Sequence, residues 1–79
     1  MKLTSLTSKR CIQQVVGSNI RVVRESQQIS QEELGFRSDL HRAYIGHVEC
    51  GNRNISLKSL EKIAQALGVE WHFLLKMSV

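Results

Sequence analysis

Proline is absent from this 79-residue sequence, and cysteine and aromatic residues are scarce. The two cysteines, Cys11 and Cys50, are far apart and have no CxxC or Cys/His spacing around them. A disulfide framework or a zinc site is therefore not expected, and the sequence predicts reduced thiols in a cytoplasmic protein without a metal or cofactor. The length predicts a single domain.

Long apolar runs are missing as well. No stretch approaches the roughly 20 apolar residues of a membrane span. The amino-terminal segment MKLTSLTSKR lacks the apolar middle of a signal peptide. We therefore expect a cytoplasmic protein that has no membrane partner.

Basic residues outnumber acidic ones, with eleven Lys and Arg against seven Asp and Glu and a formal net charge of +4. This balance favours a polyanionic partner such as nucleic acid, because basic side chains displace the counterions condensed on phosphates. Many small basic proteins bind no nucleic acid, however, so the charge alone does not identify a partner.

Apolar residues recur at helical spacing along most of the chain, and no alternating pattern supports a strand. A first helix is predicted from Ser8 or Val15 to Ser26, with its start left open because Gly17 interrupts the pattern. Its apolar stripe consists of Ile12, Val15, Val16, Ile20 and Val23. Residues 1–14 then form an amino-terminal extension or an extra helical turn, and residues 15–79 form the domain.

Capping residues delimit two short helices in the middle of the chain. Ser30 and Glu33 fit a capping box, so a second helix begins at Gln31 and ends near Arg37. Asp39 and His41 fit turn and cap chemistry, and a third helix follows from Arg42 to Cys50. Gly51 is the expected left-handed residue that ends it.

Two further helices complete an all-α fold. Ser56 is a natural N-cap for a fourth helix that ends at Gly68, and a fifth runs from Glu70 to about Met77. The fourth helix has an apolar stripe of Leu57, Leu60, Ile63, Ala64 and Leu67.

The third helix separates its residues into two faces. Leu40, Ile45 and Val48 can point inward. The opposite side carries Arg42, Ala43, Gly46 and His47. A slim helix with exposed Arg and His fits the major groove of B-DNA, which is about 12 Å wide.

These features resemble the helix-turn-helix of the phage repressor and Cro family, also called the XRE family. The matching residues are Ile20-Arg21, Arg24, Ser30 to Leu34, Tyr44-Ile45, Val48-Glu49, Gly51, Ile63-Ala64, Ala66 to Val69 and Leu74-Leu75. Within the family, the segment SDLHRAYIGHVECGNRNIS is especially similar to the controller proteins of restriction–modification systems. The resemblance implies a five-helix lambda-repressor-like DNA-binding domain.

The resemblance also implies roles for individual residues. Arg24 and Glu49 would form an ion pair between helices one and three, the alternative being two unrelated surface charges. Gly35 would let helices two and three approach closely. Arg42 would read a base, with guanine as the natural partner of its guanidinium, the alternative being a solvated arginine.

The remaining DNA contacts are less specific in sequence. Ala43 could meet a thymine methyl group, and His47 could donate to a base or a phosphate or simply be exposed. Gly46 either marks a very close approach to DNA or is merely tolerated. Phosphate contacts are expected from Gln31, Tyr44 and the loop Asn52-Arg53-Asn54, with Arg53 and Asn54 preferred over Asn52. Ordinary turn chemistry is the alternative for that loop.

The carboxyl end carries an apolar patch of Trp71, Phe73, Leu74 and Met77. We expect a two-fold dimer through this patch, the alternative being that Val22 and Phe73 fold inward against residues 1–14. The prediction is a dimeric, nucleoid-associated regulator of transcription that binds a pseudo-palindromic operator in double-stranded DNA, with RNA polymerase as a further candidate partner and no small-molecule ligand.

Two other classes of function compete with this prediction. An antitoxin or adaptor with the same fold would have a protein as its main partner. An enzyme has little support, because Glu32, Glu33, His41 and His47 are neither at metal-ligand spacing nor part of a nucleophile-and-base set.

Overall fold

A computed structural model describes residues 11–76, and these residues form helices without strands. Four α-helices occur, at Ile12–Ser26 (α1), Gln31–Ser38 (α2), Arg42–Glu49 (α3) and Leu57–Leu67 (α4). A 3-10 helix spans Trp71–Leu75. The predicted all-α fold is therefore confirmed. The predicted fifth helix is a 3-10 helix and is shorter than expected.

The capping residues begin the helices where the sequence predicted. The Ser30 and Ser56 hydroxyls accept hydrogen bonds from the backbone N–H groups of Glu33 and Ser59, at 2.9 and 3.0 Å. The capping box at Ser30 is only half formed, because the Glu33 carboxylate instead accepts a hydrogen bond from Arg37 at 2.7 Å. Helix α2 starts at Gln31 as expected and runs one residue past Arg37.

Helix α1 begins between the two starts, Ser8 and Val15, that the sequence left open. It starts at Ile12, so the predicted boundary between residues 14 and 15 falls inside this helix. A Cβ atom at Gly17 would lie 2.9 Å from the carbonyl oxygen of Glu49 and closer still to that of Val48. Gly17 is thus a contact residue that lets α1 reach the end of α3, and it does not interrupt the helix.

The core lies between α1, α2, α3, α4 and the 3-10 helix. Most of it comes from the apolar stripes that the sequence displays, since each helix buries one side against its neighbours. The fully enclosed residues are Val16, Ile20, Leu34, Ile45, Val48, Leu60, Ile63, Ala64, Leu67 and Leu74. Leu57, predicted to belong to the stripe of α4, is instead 83% exposed.

Side-chain amides on and just after α1 bind the carboxyl ends of the other helices. Asn19 donates to the carbonyl oxygens of Leu74 and Lys76 at 2.8 and 2.7 Å, and Gln27 donates to that of Leu67 at 2.7 Å. Gln13 donates to the carbonyl oxygen of Gly51 at 3.2 Å. Helix ends leave carbonyl groups without intrahelical partners, so these amides satisfy groups that would otherwise need water. No local sequence signal predicts these long-range contacts.

Candidate nucleic-acid interface

Helices α2 and α3 meet through a tight turn at Ser38 to His41. Asp39 adopts the left-handed conformation with φ of 61°, and Leu40 N–H donates to the Gly35 carbonyl at 2.8 Å. A Cβ atom at Gly35 would lie 2.6 Å from the Leu40 carbonyl oxygen. The close approach predicted at Gly35 is confirmed, and the atoms that need the space belong to the turn and the start of α3.

His41 caps the first turn of α3. Its Nδ1 accepts a hydrogen bond from the backbone N–H of Ala43 at 3.0 Å. An imidazole nitrogen can accept only when it carries no proton, so this bond assigns the proton of neutral His41 to Nε2. The predicted cap chemistry at His41 is thereby confirmed, and α3 starts at Arg42 as expected.

A buried ion pair holds α3 from behind. Arg24 donates to Glu49 through Nε at 2.7 Å and Nη2 at 3.0 Å, and its Nη1 donates to the Ile29 carbonyl at 2.8 Å. Arg24 and Glu49 are both less than one-tenth exposed. The hydrogen bonds that Arg24 donates to Glu49 raise the pKa of Arg24 despite its burial. The predicted pair is present, and the alternative of two unrelated surface charges is wrong.

Gln31 joins this network from the start of α2. Its Nε2 donates to Glu49 at 3.1 Å, so the Glu49 carboxylate accepts three hydrogen bonds from two helices. One amide hydrogen of Gln31 is therefore already used inside the protein. Its expected contact with a DNA phosphate remains a prediction, and it would be made beside a side chain that also positions α3.

The outward side of α3 forms one open concavity with the start of α2. Arg42, Ala43 and His47 are exposed there, and Gly46 is half-buried. The concavity is lined by Gln31, Arg42, Ala43, Gly46, His47, Cys50 and Asn52. All four predicted base-reading residues therefore share one surface. Cys50 was not predicted to take part, and its thiol is exposed on the same surface.

No packing contact within the described part of the chain requires a glycine at position 46. A Cβ atom there would have the Gln31 side-chain oxygen as its nearest neighbour, at 3.5 Å, which is ordinary van der Waals contact. Gly46 also lies within α3 in a helical conformation. The protein itself would accept a side chain at this position, and both explanations of the glycine stay open.

The loop after α3 places its polar residues on the surface. Asn52, Arg53 and Asn54 are exposed, and Gly51 has the expected left-handed φ of 78°. The Arg53 guanidinium carbon lies 5.5 Å from the centre of the Tyr44 ring. Tyr44, Arg53 and Asn54 are not among the residues that line the concavity, whereas Asn52, the neighbour of Arg53 in sequence, is.

The predicted apolar patch at the carboxyl end is only partly exposed. Trp71 and Phe73 are about half exposed, but Leu74 is fully buried in its own core and cannot belong to an interface. Met77 lies outside the described residues. Leu57 joins Trp71 in an apolar groove that also includes Lys58, Leu60 and Glu61. Leu57 was missed because its sequence position fits the buried stripe of α4.

Neither a metal-binding cluster nor a membrane-spanning helix is found within residues 11–76. No group of three or more His, Cys, Asp and Glu side chains in this range could hold a metal ion. None of the helices described is both long and apolar enough to cross a membrane.

Comparison with known proteins places this geometry among DNA-binding regulators. The family described as Helix-turn-helix matches residues 20–74. The control protein C.BamHI of Bacillus amyloliquefaciens is 48% identical over 60 residues, which cover 75% of this chain and 74% of that protein. The control protein C.SmaI of Serratia marcescens is 43% identical over 56 residues, covering 71% of this chain and 67% of that protein.

A solved structure agrees with these sequence matches. The restriction–modification controller protein C.AhdI from Aeromonas hydrophila superposes with a TM-score of 0.77 and 42% identity. The superposition covers 78% of this chain and 94% of that protein. The fold of this chain is therefore shared with a controller protein of known structure.

Proposed function

The chain belongs to the helix-turn-helix family and is a DNA-binding regulator of transcription, and we propose that it is a restriction–modification controller that binds a pseudo-palindromic operator as a dimer. The proposal depends most on one observation, the exposed Arg42 at the first turn of α3. Arg21, Arg24 and Arg37 each pair with a carboxylate, whereas Arg42 has no acidic partner among residues 11–76. A free arginine at this place is available to DNA.

Helix α3 would enter the major groove with its first turn leading. The Arg42 guanidinium can donate two hydrogen bonds to guanine, and such a pair discriminates between bases by about 1–3 kcal/mol. Ala43 would lie against a thymine methyl group, Gly46 would lie nearest the groove floor, and His47 would reach the next base or a phosphate. These three positions follow Arg42 along the same exposed surface.

Phosphate contacts would surround this reading surface. The start of α2 offers unpaired backbone N–H groups together with Gln31. In the loop that follows α3, Asn52, Arg53 and Asn54 would meet the backbone of the same half-site, beside the Tyr44 ring. These contacts fix the register of α3 without reading sequence, and they make binding weaken with salt.

Dimerisation would use the groove at the carboxyl end. Leu57 and Trp71 supply exposed apolar surface, and Lys58 and Glu61 line the same groove with opposite charges. A two-fold axis brings each patch against its own copy, so Lys58 of one protomer could face Glu61 of its partner. Phe73 would extend the apolar part. Such a dimer presents two α3 helices to half-sites roughly 34–36 Å apart.

The proposal also includes a protein partner and a cellular location. A regulator bound at a promoter lies beside RNA polymerase, which we retain as a candidate partner. We place the protein in the cytoplasm on the nucleoid, where its operator would be.

Selection from a random double-stranded DNA pool at stated salt tests the proposal. We expect an inverted repeat whose half-sites are about one helical turn apart. Arg42→Ala should lose preference for that sequence over random DNA, with the loss concentrated at one base pair in each half-site. Arg37→Ala, which removes an exposed arginine of α2 that pairs with Glu33, is the matched control. No shared sequence in the pool, or an Arg42→Ala variant with full preference, would contradict the proposal.

A further inference from the structure

Arg53 differs from the other arginines of residues 11–76 in the kind of group that its guanidinium contacts. Like Arg42, it is exposed and has neither a carboxylate partner nor a side-chain hydrogen bond within that range. Its contact is with the face of the Tyr44 ring, 5.5 Å from the centroid. A guanidinium within about 6 Å of an aromatic centroid is attracted by the negative face of the ring.

Tyr44 is a suitable support for this cation. It is half-buried, lies within α3 and packs against the hydrophobic core, so the orientation of its ring is set by the folded protein. Arg53 belongs to the loop between α3 and α4, which has no regular structure. The contact therefore connects the least regular part of the interface to the helix that reads DNA.

We propose that Tyr44 is a positioning residue whose ring holds the Arg53 guanidinium in the orientation in which it meets DNA. The inference rests on the proposed DNA-binding function. It differs from the expected role of Tyr44, in which its hydroxyl donates a hydrogen bond to a DNA phosphate, because the ring face acts on Arg53 and the hydroxyl is not required. A guanidinium that is already oriented loses less conformational freedom when the complex forms, which favours binding.

A double-mutant cycle on the selected DNA separates the two roles. We expect Tyr44→Leu to weaken binding about two- to five-fold, the range for a cation–ring contact at an exposed site. Arg53→Ala should weaken binding more and lower the salt dependence by about one phosphate contact. In the Arg53→Ala background, Tyr44→Leu should have no further effect, because its ring then has no guanidinium to orient.

Tyr44→Phe keeps the ring and removes the hydroxyl, so it should bind more tightly than Tyr44→Leu. Phe36→Leu is the matched control, since Phe36 is an aromatic residue of α2 that is 83% exposed. Equal losses for Tyr44→Phe and Tyr44→Leu would overturn the inference in favour of a hydroxyl contact. Additive losses in the cycle would overturn it in favour of two independent contacts.

A measurement on the free protein removes any dependence on DNA. Proton NMR should show the Arg53 side-chain signals shifted upfield by the Tyr44 ring in the wild type and in Tyr44→Phe, and unshifted in Tyr44→Leu. Helical circular dichroism checks that each variant is folded. Unshifted Arg53 signals in the wild type would overturn the inference even if the protein binds its operator, whereas failure of the wild type to select DNA would overturn the proposed function.

Discussion

The two faces of α3 are constrained by different things. On the inner face, Ile45 and Val48 are buried and Glu49 is hydrogen-bonded to two other helices. On the outer face, Arg42 and His47 are exposed and have no salt-bridge partner in the described part of the chain. The protein thus fixes where α3 lies through one face and leaves the chemistry of the other face to its partner.

The buried ion pair on the inner face contributes a specific geometry more than it contributes stability. A buried ion pair adds little net stability, because the cost of removing both charges from water offsets their attraction. Its geometry is nevertheless specific, since a misplaced carboxylate would leave Arg24 unpaired. We infer that Arg24 and Glu49 set the angle of α3, whereas the outer residues determine which sequence is read.

Glu49→Ala should have the largest effect on the inner face. It removes three hydrogen bonds and leaves Arg24 buried without a carboxylate, which we expect to destabilise the fold by about 3–5 kcal/mol. The pKa of Arg24 is raised in the folded protein, so its stabilising contribution is fully present below the ordinary pKa of arginine and is lost as the pH rises through the raised value. Urea unfolding near neutral pH measures the loss.

The exposed carboxylate Glu33 provides the control for this variant. Glu33→Ala breaks an ion pair whose side chains are 44% and 46% exposed, and it should cost below about 1 kcal/mol. Replacing both buried partners, as Arg24→Met with Glu49→Leu, should be less damaging than Glu49→Ala alone. If Glu49→Ala unfolds at the wild-type urea concentration, the ion pair does not hold α3 in place.

Gly17→Ala should have the next largest effect, through the same face of α3. The added methyl group would overlap the carbonyl oxygens of Val48 and Glu49, which are backbone atoms and cannot rotate away. We expect a loss of about 2–3 kcal/mol in unfolding free energy, since overpacking of this kind forces the helices apart. Operator affinity of the folded fraction should fall too, because α3 would shift. Unchanged stability would show that α1 and α3 can separate freely.

Much of this fold follows from local sequence signals. Ser30, Ser56 and Gly51 act within a few residues of their own helix ends, so their roles could be predicted without knowing the tertiary structure. The misreading of Gly17 has the opposite cause. Its neighbours are carbonyl groups of α3, and a sequence shows only that a glycine interrupts an apolar stripe.

The residues of the candidate site also divide into those that local sequence signals predict and those whose place depends on tertiary packing. Helical spacing alone placed Arg42 and His47 together on the exposed side of α3. Leu57 was expected in the buried stripe of α4 and Leu74 in an exposed patch, and only the packing of the 3-10 helix against α1 and α4 decides which one is covered. The contact between Tyr44 and Arg53 was also beyond sequence reasoning, since the path of the loop decides it.

Gly46→Ala should have the smallest effect and the opposite sign. Alanine is favoured over glycine inside a helix by about 1 kcal/mol, and the nearest side-chain atom would lie 3.5 Å from the new methyl group. We therefore expect an increase of about 0.5–1 kcal/mol in unfolding free energy, measured in urea beside Gly17→Ala. A decrease would mean that the outer face is also packed by the protein, which would end the distinction between the two faces. Operator affinity of the same variant then decides why the glycine is there, because a methyl group that stabilises the free protein can weaken binding only by meeting the DNA.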